Sequence, residues 1–337
     1  MTKHFVLKVL KQWSVVLILI SVVACQELPT PTPIMTLMTT EEPTLSPAPS
    51  EKVLPTSTLP EVPSTGMEET ATLIAPTTET VKSTPTSRHA GGLKCIGESY
   101  SGGKPPDKTK DLILQINVPL NKNYQPVVDY FNEIAQECDG LGLLGRYAEK
   151  LPWREMIGDL PKGIIFYSLP SLEYAKETAS SWTEYVDWFA YEISFGDRTP
   201  TSEQNNPAQA SQMALQFARE HGLVYFVTPG RPMTIQHAEA LAQYADAYGL
   251  QAYGEQHESP ETYLQLVKST SDKIRKVKPD ILLLVAFSTD RPDDDPQVAF
   301  EMITQLLGYI DGVFIRTTGD DQSMEKMRTL VNLIRGQ

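Results

Sequence analysis

Cysteine and histidine are scarce in this chain, three and five in 337 residues, and neither clusters. No CxxC, HExxH or mixed Cys/His spacing occurs, so no structural or catalytic zinc site is expected and no metal is assigned. Gly-x-Ser-x-Gly is missing as well, which removes the usual serine esterase. Basic residues are outnumbered, 29 Lys and Arg against 42 Asp and Glu, and the net charge is −13. That balance argues against nucleic acid or anionic lipid as a partner. Residues 97–104 look like a phosphate loop at a glance, but Gly103 stands where the lysine is required, and no cofactor is expected.

What is present divides into three. Lys3, Lys8 and Lys11 precede an apolar stretch at 13–23, too short to span a membrane comfortably, and residues 1–25 read as a signal peptide. Its ending, Val22-Val23-Ala24-Cys25, resembles the bacterial lipobox. The resemblance implies cleavage before Cys25 and diacylglycerol on its sulfur. The remaining chain is then expected at the extracytoplasmic face of a bacterial cell envelope, with the membrane as a partner through that lipid. An uncleaved anchor with an incidental cysteine is the alternative. Residues 26–90 are dominated by Thr and Pro, and their large apolar residues are too sparse to offset ordering entropy. They read as a disordered, extended tether, at about 3.1 Å per residue where polyproline-like. The signal carries three lysines and the tether eight acids against three bases, so residues 91–337 hold −11 of the net charge. Cys95 and Cys138 remain, and in an oxidising compartment a bridge between them is expected, two separate buried thiols being the other reading.

From Asp111 onward, short β-branched or aromatic runs alternate with longer amphipathic stretches. The runs lie at 112–118, 164–168, 188–192, 223–228, 250–253, 281–288 and 313–316, with a weaker one at 140–144. Eight strands, each followed by a helical segment, predict a closed (β/α)8 barrel of the TIM type over 91–337. Asn206-Pro207, Ser259-Pro260 and Asp295-Pro296 mark helix starts, pairing a cap with proline at the first helical position. His221-Gly222 and Tyr248-Gly249 mark stops, with His221 answering a helix dipole. Helix-to-strand links are therefore short and strand-to-helix links long, 193–206 and 289–295 among them. A barrel so connected presents its site at the C-terminal ends of the strands.

Alternation along each strand identifies the side chains that face the axis. Gln251 and Tyr253 share the inward face of the sixth strand, with Glu255 continuing the parity. Ala190 and Glu192 point inward on the fourth, and Arg316 ends the eighth in register with Phe314. Gln115 and Asn117 lie on one side of the first, while Ser168, Thr228 and Ser288 end the third, fifth and seventh. A barrel filled for stability alone carries Val, Ile and Leu at these levels. Here most of the upper layer is polar. Glu192, in a mouth beside Trp and Tyr, suits a general acid, and an ion pair with Arg316 that merely orders the barrel top is the competing reading. Tyr167, Trp188 and Tyr253 are aromatics available for stacking on sugar rings, and His257 is the only histidine expected near the site. The acidic run Asp290, Asp293, Asp294 and Asp295 reads as a solvated loop with Asp295 capping, calcium being the lesser reading.

On these residues the barrel mouth resembles glycoside hydrolases, in layout the chitinase-like family 18. There the acid is a glutamate ending the fourth strand, where Glu192 closes Val186-Asp187-Trp188-Phe189-Ala190-Tyr191-Glu192. The sixth-strand Met-x-Tyr-Asp pattern is matched in Gln251-Ala252-Tyr253-Gly254 only at the tyrosine. Ala190 stands where the family has the aspartate that orients an acetamido group, and Arg316 where it has tryptophan. Residues 191–207 also look like those of uncharacterised secreted bacterial barrels. The resemblance implies a carbohydrate-active enzyme with Glu192 as acid and Glu255 as second carboxylate. A non-catalytic surface lipoprotein that binds a saccharide or peptide through Gln115, Asn117, Gln251, Tyr253 and Arg316 is the alternative.

Overall fold

Eight parallel strands close on themselves in sequence order. In the computed structural model, which describes residues 92–97, 104–119, 123–145 and 163–336, they are β1 Ile113–Asn117, β2 Gly140–Leu144, β3 Ile164–Leu169, β4 Trp188–Tyr191, β5 Val224–Val227, β6 Ala247–Leu250, β7 Leu282–Ser288 and β8 Gly312–Arg316. The fold is thus a (β/α)8 barrel of the TIM type. The signal peptide and lipidated Cys25 expected at 1–25, and the tether at 26–90, lie outside the described residues.

The helices around the barrel are α1 Tyr124–Ile134, α2 Leu172–Thr178, α3 Thr201–Asn205, α4 Pro207–Glu220, α5 Arg231–Ala242, α6 Tyr253–Gln256, α7 Pro260–Val277, α8 Pro296–Leu306 and α9 Asp321–Arg335. The starts of α7 and α8 follow the sequence, whereas Asn206 before α4 makes no side-chain cap bond and donates to Gln209 instead. Ser259 and Asp295 cap α7 and α8 through their side chains, accepting from Thr262 N and Gln297 N, and proline occupies the first turn of both. His221 closes α4, and Gly222 behind it has φ +71°.

The sixth strand departs from expectation. It runs Ala247–Leu250, three residues before the predicted 250–253, because α5 ends at Ala242 and Tyr248-Gly249 lies inside the strand rather than at a helix stop. Gly249 faces the axis, where a Cβ would sit 2.7 Å from Thr228 Cγ2 and 2.8 Å from the Phe226 ring. The glycine is there to admit that ring. Because strands have period two, the odd-numbered parity survives the shift, and Gln251 remains on the inward side.

Two apolar layers result. Outward strand residues and the inner helix faces form one, including Trp182, Phe189, Tyr225 and Tyr263. The axis is filled by Ile113, Ile164, Phe166, Trp188, Phe226, Leu284 and Phe314, with Cys95 beneath them. Cys95 and Cys138 are joined by a disulfide, with Cα atoms 5.5 Å apart, and the Trp188 indole N–H donates to Gly92 O at 3.3 Å. The segment 92–97 therefore plugs the lower, N-terminal end of the barrel.

That lower end carries a repeated device. Asp139, Asp187, Asp246 and Asp311 each stand one residue before an even-numbered strand. Each accepts from the second backbone N–H of the strand before: Leu114 at 2.8 Å, Ile165 at 2.8 Å, Tyr225 at 2.9 Å and Leu283 at 2.6 Å. Arginines from the last turns of α9, α4 and α7 complete three of the arrangements, Arg335 with Asp139, Arg219 with Asp246 and Arg275 with Asp311. Burial pushes the Asp139 and Asp311 carboxyls up, and the arginines and backbone donors pull the other way.

Candidate functional site at the barrel mouth

At the other end the barrel opens into a cavity of about 350 Å³. The chain builds it from strand ends. Phe166, Phe226 and Phe314 form its apolar floor, above them come Asn117, Ser168, Thr228 and Gln251, and Glu192, Arg198, Asp290 and Arg316 stand at the rim. Room for this comes partly from β2, whose inward positions Gly140 and Gly142 carry no side chain. A Cβ on Gly142 would meet the Phe166 ring at 2.1 Å and Asn117 Oδ1 at 2.5 Å.

The two sides of the mouth differ. From β5 round to β8 the polar side chains are linked. Gln251 Nε2 donates to Thr228 O at 3.0 Å, and the Tyr253 hydroxyl reaches Gln251 Oε1 at 3.4 Å. The Arg316 guanidinium lies 5.2 Å over the Tyr253 ring, and its Nε pairs with Asp290 Oδ2 at 2.9 Å. Asp290 also accepts from the Ser288 hydroxyl. From β1 to β5 several side-chain atoms lack a hydrogen-bond partner among the described residues. Gln115 Oε1 and Nε2, Asn117 Oδ1, Ser168 Oγ and Thr228 Oγ1 are buried without a hydrogen-bond partner. Buried polar atoms are rarely left so, and a cluster of them facing a cavity marks where a ligand's donors and acceptors fit. Glu192 reaches the rim on this side too, but it is not one of the unpartnered groups. Its backbone N–H donates to Leu169 O at 2.8 Å, which carries the strand path of β4 one residue further and puts the carboxylate into the mouth.

Of the residues read from the sequence, Asn117, Glu192, Gln251, Tyr253 and Arg316 come together here, and Gln115 lies just below, fully buried. Others go elsewhere. Tyr167 faces outward, stacked on Trp182 at 5.0 Å, because Ser168 takes the inward position on the same strand. Trp188 is inward but sits in the floor layer, packed on Phe226 at 5.7 Å and unable to reach a ligand. Glu255 is not a second mouth carboxylate. With β6 ending three residues early, the chain turns into α6 and buries Glu255 against Arg231. His257 lies beyond that helix beside Asp294, away from the mouth lining. Arg316 ion-pairs with Asp290 rather than with Glu192.

Two mouth residues escaped the sequence reading. Asp290 was absorbed into the acidic run, although Ser288-Thr289-Asp290 keeps the inward parity of β7. Arg198 sits in the loop 193–206, where no periodicity gives direction. The loop's fold is set by Glu203, which accepts from the Tyr191 hydroxyl at 2.5 Å and from Leu172 N at 3.2 Å. Burial, then the bond to Glu203, pushes the Tyr191 phenol well above its ordinary value, so it serves as a neutral donor.

Fold and mouth together define a (β/α)8 barrel with a polar, two-sided opening at the C-terminal ends of its strands. No family model matches the chain, and no curated protein matches it significantly. Among solved structures it is similar to the YdjI aldolase from Escherichia coli K12, with 13% identity, TM-score 0.43, and 68% of this chain and 90% of that one covered. It is also similar to a family 18 chitinase from Crocus vernus, with 13% identity, TM-score 0.45, and 64% and 95% covered. A third is the 3-keto-L-gulonate-6-phosphate decarboxylase from Vibrio cholerae, with 14% identity, TM-score 0.42, and 67% and 97% covered. Likenesses at this level carry no argument about what the mouth binds or does.

Proposed function

We propose that the mouth binds a carbohydrate and cleaves a glycosidic bond, with Glu192 as the proton donor and Asp290 as the second carboxylate. The observation that carries this reading is the pairing of a bare polar wall with an aromatic floor under two rim carboxylates. Sugars offer hydroxyls that both donate and accept, and their C–H faces lie against aromatic carbon. Neutral groups such as Asn117, Ser168, Thr228 and Gln251 suit the first property, and Phe166, Phe226, Phe314 and Tyr253 the second. Asp290 pairs with Arg316 and accepts from Ser288, which fixes its carboxylate at the rim, where positive charge on a sugar ring would develop. Glu192 approaches from the β4 side and supplies the proton to the leaving oxygen. Cys25 places this activity outside the cytoplasm on a lipid anchor, and the 26–90 tether holds the barrel off the bilayer.

The ion pair between Arg316 and Asp290 favours a second reading, a saccharide- or peptide-binding lipoprotein without turnover, in which that carboxylate only orders the wall. One screen separates them. Wild type, Glu192→Gln and Asp290→Asn are tested against a polysaccharide panel for both hydrolysis and binding. Under the enzymatic reading both variants bind but lose turnover by about 100-fold or more, because the lost interaction belongs to the transition state. Full hydrolysis by Glu192→Gln removes Glu192 from the mechanism. Failure of the wild type to bind any glycan removes the carbohydrate assignment. For the anchor, Cys25→Ala is expected to release the protein from membranes, and unlipidated, water-soluble wild type would refute it.

A further inference from the structure

Beside the mouth, and outside it, His257, Asp293 and Asp294 bring one imidazole and two carboxylates together, with one ligand atom from each lying within 4.8 Å of the others. They come from two loops. His257 directly follows α6, and the aspartates belong to the turn between β7 and α8. The His257 side chain is 9% exposed and that of Asp294 is 3% exposed. Nδ1 of the histidine and Oδ1 of Asp294 are 3.2 Å apart, within reach of an ion pair if the imidazole is protonated, yet the buried Asp294 Oδ1 makes no aligned hydrogen bond. A buried carboxylate oxygen facing a neutral ring nitrogen without hydrogen-bond alignment is costly unless a cation sits beside both. Two ligands each about 2.1 Å from a shared divalent ion, at angles between octahedral and tetrahedral, stand about 3.0–3.4 Å apart. The observed separation fits that spacing.

The carboxylate is also held ready. Asp294 Oδ2 accepts from Arg291 N at 2.9 Å, Asp294 N donates back to Arg291 O at 3.2 Å, and Lys326 from α9 donates to Arg291 O and Pro292 O at 2.6 and 2.8 Å. Asp293 is exposed and leaves a solvent side for water ligands.

We infer that His257, Asp293 and Asp294 form a binding site for a divalent transition-metal ion of the kind that accepts imidazole together with carboxylates, Zn²⁺ or Mn²⁺. The ion clamps α6 to the β7–α8 turn. Gln256 already joins the same two elements, donating to Ser288 O at 3.2 Å and accepting from Ser288 N at 2.8 Å. Those elements carry Tyr253 and Asp290, the two side chains that grip Arg316. The site thus supports the linked wall of the mouth without entering it, and it stands whether or not that mouth takes a sugar.

The test is calorimetric titration of the full chain, stripped with chelator, with Zn²⁺ and separately with Mn²⁺. One saturable site per chain is expected for at least one of the two, with a metal-dependent rise in the thermal midpoint. His257→Gln and Asp293→Asn are expected to weaken it at least about tenfold. Asp293 is exposed, so Asp293→Asn leaves the metal-free midpoint unchanged and separates loss of a ligand from loss of the fold. No saturable binding of either ion, or binding of equal affinity in the wild type and both variants, overturns the proposal.

Discussion

The two ends of the barrel treat buried polar groups in opposite ways. At the lower end, each of Asp139, Asp187, Asp246 and Asp311 accepts from a backbone N–H of the strand before, and Arg335, Arg219 and Arg275 arrive from the helices to balance the charge, although Asp187 Oδ1 and Arg335 Nε make no hydrogen bond among the described residues. At the upper end, Gln115, Ser168 and Thr228 are equally buried and Asn117 is partly buried, and each has a side-chain atom with no partner among the described residues. An unpaired buried polar group costs about 1–3 kcal/mol, so groups without a partner inside the protein favour water or a ligand that supplies one. One scaffold therefore ties down polar groups at the N-terminal ends of its strands and leaves them available to a ligand at the C-terminal ends.

Substitutions at the two ends should consequently differ in sign. The largest loss is expected from Asp311→Ala, which strands Leu283 N–H and leaves Arg275 beside an apolar hole. Breaking one side of a buried pair costs about 3–5 kcal/mol, and urea unfolding would show it as a lower midpoint. A loss below about 1 kcal/mol would mean that water replaces the carboxylate and that the lower end is not specially built. Next comes the Cys95–Cys138 bridge, which closes 43 residues of chain beneath Trp188. Replacing both cysteines by serine should cost about 3–4 kcal/mol in the chain-entropy account, and two free thiols in unreduced, unfolded protein would show that no bridge forms in the cell. At the upper end the expectation reverses. Thr228→Val and Gln115→Met remove polar atoms that have no partner while keeping shape, so each should raise stability by about 1 kcal/mol. Both should weaken any ligand of the mouth. A destabilised Thr228→Val protein would show that its hydroxyl is satisfied in solution and would erase the contrast between the ends.

This contrast was half legible in the sequence. Period-two alternation placed Gln115, Asn117, Glu192, Gln251 and Arg316 on the axis, and it did so even where the sixth strand was displaced, because a shift of three residues leaves parity to be read from the apolar partners Leu250 and Ala252. Tyr167 shows the opposite error. An aromatic attractive for sugar stacking was preferred over the parity of its neighbour Ser168, and the fold obeyed parity. Glu255 failed for a different reason, since alternation means nothing once the chain has turned into α6. The acidic ring at the lower end was not read from the sequence, because each aspartate's role depends on a backbone N–H of the preceding strand, which no local pattern reports. Arg198 had no signal at all, because its position follows from Glu203 and Tyr191 fixing an irregular loop.

The finest test of the lower end is its response to pH. Burial raises the Asp311 carboxyl above its ordinary value, more than Arg275 and Leu283 N–H lower it, and the same balance holds at Asp139. The native state therefore keeps these protons at a pH where the unfolded chain has already released them. More protons on the folded form means that stability falls as pH rises from the ordinary carboxyl value through the raised native one. Asp311→Asn lacks that titration but retains an oxygen for Leu283 N–H. Its deficit against wild type should accordingly be greatest near pH 4 and narrow toward pH 7, with urea midpoints measured in parallel for the two proteins. A deficit that widens with rising pH would reverse the sign, showing that the Arg275 guanidinium outweighs burial and that the lower ring works as a set of true ion pairs.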